Sequence, residues 1–340
     1  MARTSMARFG GNYAIDLEQV STNIADLNSG GRWAVAIPFS GEPVLARFAT
    51  WAQGPVPDDL IGSWEGVDPL SWASSLDQSE YMSAVEATRS RIERGEVYQA
   101  NICRIRSAPL PPGGDVMALD ALLQRGNPSP FGGALRLIDE DVHIACASPE
   151  LYLSREGSHI ASGPIKGTAA EASGISDKDE AENIMIVDLV RNDLSRCAST
   201  GSVQVSELLE IQEHPGLVQL VSTITAELAE SSGWEDLIAA TFPPGSVTGA
   251  PKSTALKLIE ELEPETRSFY CGAFGWIDAD KKEAELAVTI RTFWFDNSVL
   301  KFGTGAGITW NSDAQSEWEE TELKARRLST VAAWTRLCHG

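Results

Sequence analysis

Lys166, in the run Pro164-Ile165-Lys166-Gly167-Thr168, is the residue of this sequence most suited to covalent chemistry. It follows a strand-like segment over 159–162 and precedes an acidic helical stretch that begins near residue 177. The proline fixes the backbone on one side and the glycine permits close approach on the other, which suits an amine aimed into a pocket. An ordinary lysine has a pKa of about 10.4, so only a few amines in ~10⁴ are neutral at pH 7, and nucleophilic use requires burial or cationic neighbours. Taken alone, Lys166 reads better as a surface loop lysine. Carboxylates offer a second chemistry. Glu182 lies on a helical stretch with apolar Met185 and Leu189, while Glu317 and Glu320 are three apart on a second one and so share a face. Carboxylates from two helices are suitable oxygen ligands for Mg²⁺, which keeps several waters and adds a substrate group. The plain alternative for Glu320 is an exposed i,i+4 pair with Lys324, worth ~0.3–0.5 kcal/mol.

Two glycine-rich segments invite a nucleotide reading and fail it. In Gly249-Ala250-Pro251-Lys252-Ser253 the glycine and lysine are not adjacent, so it is no phosphate-binding P-loop. Gly303-Thr304-Gly305-Ala306-Gly307 lacks both the dinucleotide spacing and the following helix. Pro251 suits the first position of a helix, so that 245–250, with Ser246, forms a loop before a positive helix end where anions are favoured.

These residues must be positioned by a mixed scaffold. Helices are expected over 79–94, 177–196, 234–241, 251–262 and 312–337, the first ending at Gly95. Strands are expected over 33–38, 44–48, 97–104, 133–138, 142–147, 202–211, 217–227, 272–277, 285–295 and 299–303. Turn residues such as Asp278-Ala279-Asp280 and Asp296-Asn297-Ser298 favour antiparallel hairpins, and the sum is an α+β arrangement. The 340 residues, 43% hydrophobic and 22% charged, can bury a large core. A formal charge of -21 argues against nucleic acid and anionic membrane surfaces as partners, and no segment is long enough to span a bilayer. The five cysteines (Cys103, Cys146, Cys197, Cys271, Cys338) are scattered without metal-type pairing, which fits a reduced cytoplasm.

Lys166 keeps informative company: Ser148-Pro149-Glu150, Ala181-Glu182-Asn183-Ile184-Met185-Ile186-Val187-Asp188-Leu189, Gly249-Ala250-Pro251-Lys252, and Gly305-Ala306-Gly307 followed by Glu317, Glu320 and Lys324. In this order, over about 80–328, the segments resemble the chorismate-binding enzymes, the family of anthranilate synthase and aminodeoxychorismate synthase large subunits. That resemblance implies an antiparallel β-sandwich flanked by helices. It divides the chain into a shortened N-terminal segment over 1–75, packed on the same fold, and a catalytic domain over 76–340. It assigns Mg²⁺ to Glu182 and Glu320, with Glu317 as a further ligand. Lys324, Gly305 and Gly307 would hold the ring carboxylate beside the metal. Arg291 and Tyr270 would bind the enolpyruvyl carboxylate, with Thr168, Gln219 and Ser246 as further substrate contacts. Glu150 would be the general acid/base and Lys166 the nucleophile on chorismate.

Within the family, lysine at 166 favours the aminodeoxychorismate branch, since anthranilate synthases usually carry alanine there. Gln99 stands where isochorismate and salicylate synthases carry a water-activating lysine, and Gln219 where many members have histidine. Glutamine cannot exchange protons, so position 219 is left with hydrogen bonding. Asn127-Pro128-Ser129-Pro130-Phe131 resembles part of a tryptophan-regulatory region, without the accompanying leucine-rich serine motif. The expected partner is a separate glutamine amidotransferase that supplies ammonia. Anthranilate synthase component I and a non-catalytic chorismate-binding subunit are the alternatives.

Overall fold

A computed structural model of the chain describes residues 4–169, 171–214 and 217–336. The described chain opens with β1 (Met6–Phe9), β2 (Asn12–Ser21), β3 (Arg32–Ile37), β4 (Val44–Gln53) and β5 (Ala73–Ser74). It continues through α1 (Gln78–Glu93), β6 (Gln99–Pro109), α2 (Val116–Gly126), β7 (Phe131–Leu137), β8 (Val142–Ser148), β9 (Leu151–Glu156), β10 (His159–Gly163) and β11 (Ile165–Ala169). Next come α3 (Asp177–Ser195), β12 (Gln204–His214), β13 (Leu217–Glu227), α4 (Trp234–Thr241), β14 (Gly249–Ala250) and α5 (Lys252–Leu262). The last elements are β15 (Ala273–Asp278), β16 (Glu283–Val288), β17 (Thr292–Asp296), β18 (Val299–Ile308) and α6 (Ala314–Ala332).

The named strand pairings are antiparallel. Hydrogen bonding runs from β12 through β13, β10, β9, β16, β15 and β3 to β4. From β4 it passes through β2, β1, β7, β8, β17 and β18 to β6. β4 is thus the strand shared by two layers that face each other: the rings of Phe9 on β1 and Phe274 on β15 meet at 5.0 Å inside the core between them. This is the sandwich the sequence led one to expect. The outer face of the β6 layer is covered by α2 and α6 through Leu119, Leu123, Leu328 and Val331, and by α1 and α5 through Tyr81, Val85 and Leu258. The segment before α1 is woven into both layers, through β3 against β15 and β1 against β7.

Capping fixes the helix starts. Asp77 and Glu80 form a reciprocal capping box at α1, and Ser176 with Asp179 forms one at α3. Several boundaries differ from expectation. The single strand over 285–295 is two, β16 and β17, with Arg291 in the break at φ 52. Pro251 is the N-cap of α5 and not its first helical residue, because its ψ of 140 is still extended. α6 ends at Ala332, where the Ala332 carbonyl accepts from the Trp64 indole at 2.8 Å and residue 336 bridges back to Trp64; Leu337 and Cys338 lie outside the described residues. α2 was not foreseen; its first turn is buried all round, from Val116 to Asp120.

Candidate active site

Lys166 is delivered by β11, which pairs with β13 through a register shift between Ile165 and Thr168. Gly167 follows at φ +80 with its Cα pressed against the first turn of α3, so that a Cβ there would come 2.9 Å from that of Asp179. The Lys166 ammonium donates to the Ser246 carbonyl at 3.3 Å. It also lies beside Gly307 of β18, where a Cβ would stand 3.5 Å from Nζ and would collide with Nε2 of Gln99. Gln99 is 1% exposed and its Oε1 has no hydrogen-bond partner among the described residues.

Glu150, between β8 and β9, is buried in the same place. Burial pushes its carboxyl pKa up, against the opposing pull of the Ser246 hydroxyl, the Lys166 ammonium and the Ile165 amide. A buried carboxyl with a raised pKa next to an amine is the arrangement a general acid requires.

Helices α3 and α6 bring the other charged groups. Lys178 Nζ sits 3.8 Å from Glu182 and 3.2 Å from Glu317, and Glu317 also accepts from the Ser312 hydroxyl at 2.6 Å. Glu320 pairs with Lys324 at 2.6 Å, and Lys324 donates to the Gly305 carbonyl at 3.1 Å. Burial raises the pKa of Glu182 despite Lys166 and Lys178. For Glu320 burial acts upward too, but Lys324, then Lys178 and Lys166, outweigh it and hold the carboxyl below its ordinary value. Three carboxylates and three lysines therefore share one field. Among the described residues no three His, Cys, Asp or Glu side chains already stand at metal-ligand spacing.

Asn183, next to Glu182, fixes α3 on the sheet: its amide donates to the Leu220 carbonyl at 3.3 Å and its oxygen accepts from Ser222 at 2.5 Å. That sets Glu182 over β13, where buried Gln219 lies opposite Thr168. The Thr168 side chain lies outside the described residues. Tyr270 is buried against β18, its ring filling the space a Cβ on Gly303 would take, and burial, with the Cys271 and Cys103 thiols, pushes its phenol well up. Arg291 has no ion-pair partner among the described residues, and burial, with Arg327 nearby, lowers its pKa. The hydrogen bonds and ion pairs that join the lysines and carboxylates do not extend to Tyr270 or Arg291 among the described residues.

Glycine at 305 is also required by the neighbouring strand, since a Cβ there would lie 2.6 Å from the Cys103 sulfur. Lys252 of Gly-Ala-Pro-Lys turns away from the lysine–carboxylate group to bind Asp193 at 2.6 Å and the Thr241 carbonyl at 3.3 Å, tying α5 to α3. Lys178 was missed altogether, although its i,i+4 spacing to Glu182 was readable.

Residues 58–330 match the chorismate binding enzyme family. The chain belongs to that family. It is 38% identical over 270 residues to aminodeoxychorismate synthase component 1 of Salmonella typhimurium, covering 76% of this chain and 58% of that protein. It is 33% identical over 269 residues to anthranilate synthase component 1 of Saccharolobus solfataricus, covering 76% of this chain and 63% of that protein. The chain thus spans about three fifths of the length of the curated relatives it matches. In fold it is similar to the crystal structure of anthranilate synthase component I from Streptococcus pneumoniae, with a TM-score of 0.78 at 23% identity over 97% of this chain and 91% of that one.

Proposed function

We propose that this chorismate-binding enzyme is an aminodeoxychorismate synthase large subunit, which converts chorismate and ammonia to 4-amino-4-deoxychorismate. The observation that carries the reading is Lys166, whose ammonium lies between the Ser246 carbonyl, Gly307 and the Glu150 acid. As the free amine, Lys166 Nζ bonds to C2 of chorismate as the C4–oxygen bond breaks, and Glu150 gives its proton to the departing hydroxyl, which leaves as water. Ammonia then bonds to C4 as the C2–nitrogen bond breaks, which returns the free lysine amine, and the proton shed by the new C4 nitrogen restores Glu150. Gln99, which like Lys166 lies against Gly307, carries an amide that cannot act as a base, which favours ammonia over water as the incoming group.

The donor set fits Mg²⁺: Glu182 and Glu317, from different helices, already converge on one cationic nitrogen, and Glu320 lies in the same field. When bound, the metal supplies positive charge against the substrate carboxylate. Lys324, held by the Gly305 carbonyl, adds a fixed ammonium, and Arg291, free of internal partners among the described residues, suits a bidentate grip on the enolpyruvyl carboxylate. Gln219 contributes at most a hydrogen bond. Ammonia would come from a separate glutamine amidotransferase, as the component naming of the relatives suggests.

Anthranilate synthase activity is the second reading, favoured by relatives of that name at similar coverage. Incubation with chorismate, Mg²⁺ and ammonium, followed by chromatography, separates the two. Aminodeoxychorismate without pyruvate supports the proposal. Anthranilate with stoichiometric pyruvate overturns it in favour of the second reading, and no turnover with retained chorismate binding overturns both in favour of a non-catalytic subunit.

A further inference from the structure

We infer that Lys178 is a built-in competitor for the divalent cation, its ammonium standing where Glu182 and Glu317 converge so that a cation taken up there must displace it. The inference rests on the proposed metal role of these carboxylates. Lys178 is one turn before Glu182 on α3, and it reaches across to α6. Glu317 is 3% exposed, and a buried carboxylate left without a cation is strongly unfavourable. Lys178, with the Ser312 hydroxyl, provides that partner.

The lysine itself remains 43% exposed on a flexible four-carbon stem, so it can withdraw to water. A buried carboxylate paired with a displaceable ammonium is the combination a cation-exchange position requires. Lys324 is different. Its ammonium is also anchored on the Gly305 carbonyl, within hydrogen-bond distance of the sheet, and so is suited to stay.

The test is titration of the full chain with Mn²⁺, a probe that accepts the same oxygen ligands, followed by electron paramagnetic resonance of the free ion. Lys178→Met keeps the stem and removes the charge, and it should tighten Mn²⁺ binding by about tenfold. Lys178→Arg should weaken it, because a guanidinium stays charged and holds carboxylates bidentately. Thermal melting without metal confirms that both variants are folded. Unchanged or weaker Mn²⁺ binding by folded Lys178→Met overturns the inference while leaving the metal site standing. If the wild-type chain takes up no Mn²⁺, the metal reading fails and the inference falls with it.

Discussion

Lys166 and Gly307 lie so close that a Cβ on the glycine would stand 3.5 Å from the lysine nitrogen. The same Cβ would collide with Gln99, which is buried and has little room to retreat. The added methyl fits against the amine but not against Gln99, so Gly307→Ala should shift the Gln99 amide or the β18 backbone at that point. A shift passed on to a reacting group at the ångström scale costs about a hundredfold in rate. The expected result is a loss of that order in kcat together with a lowered melting temperature; normal turnover would mean that neither Gln99 nor the amine acts from this position.

Glu150 makes a prediction about pH. Because burial holds its pKa above the ordinary carboxyl value of about 4.3, the unfolded chain gives up this proton first as pH rises. The native state then binds more protons than the unfolded one, so this group's contribution to stability is fully present below about pH 4.3 and is lost as pH rises through the folded value. Glu150→Gln should abolish that decline. Thermal melts should show the variant above wild type at pH 8, with the gap closing towards pH 4, while turnover falls by ~10²–10⁴-fold as the acid is removed. A gap that does not change with pH would show that Glu150 titrates normally.

The sequence offered candidate residues for the site but not their arrangement. The stop at Gly95 marked the end of α1, and turn residues marked the β15–β16 and β17–β18 hairpins. The break at Arg291 was hidden because 285–295 has strand composition throughout, and only the left-handed backbone at 291 divides it. Lys178 to Glu317 spans 139 residues, and no local pattern announces a pair that only the approach of α3 to α6 creates. That the Gln99 Oε1 finds no partner among the described residues is likewise a property of burial, not of residue type. Lys252, by contrast, was placed in a promising motif and proved to bind Asp193.

The carboxylates separate a metal site from a set of ion pairs. Glu182→Gln and Glu320→Gln keep size and hydrogen bonding but remove a charged ligand, so each should lose about a hundredfold or more in turnover and require more Mg²⁺ for what remains. Circular dichroism should show both folded. Glu320 pairs with Lys324 at a half-exposed position, so the loss of that pair alone would move stability little. Near-wild-type turnover of both variants at limiting Mg²⁺ would take these two residues out of the metal site.

Lys166 decides the mechanism. If its nitrogen bonds to chorismate, incubation without ammonia should leave an adduct on the peptide containing Lys166, visible by mass spectrometry after quenching, and Lys166→Ala should lose it. Lys166→Arg should not restore activity, because a guanidinium stays protonated and cannot attack. The alanine variant should still bind chorismate, since Arg291, Lys324 and the carboxylates of α3 and α6 are untouched by the change. Restoration of part of the alanine variant's rate by added primary amines would support the covalent step. Aminodeoxychorismate formed by Lys166→Ala at the wild-type rate would leave the lysine as a charge at the site and assign direct attack to ammonia.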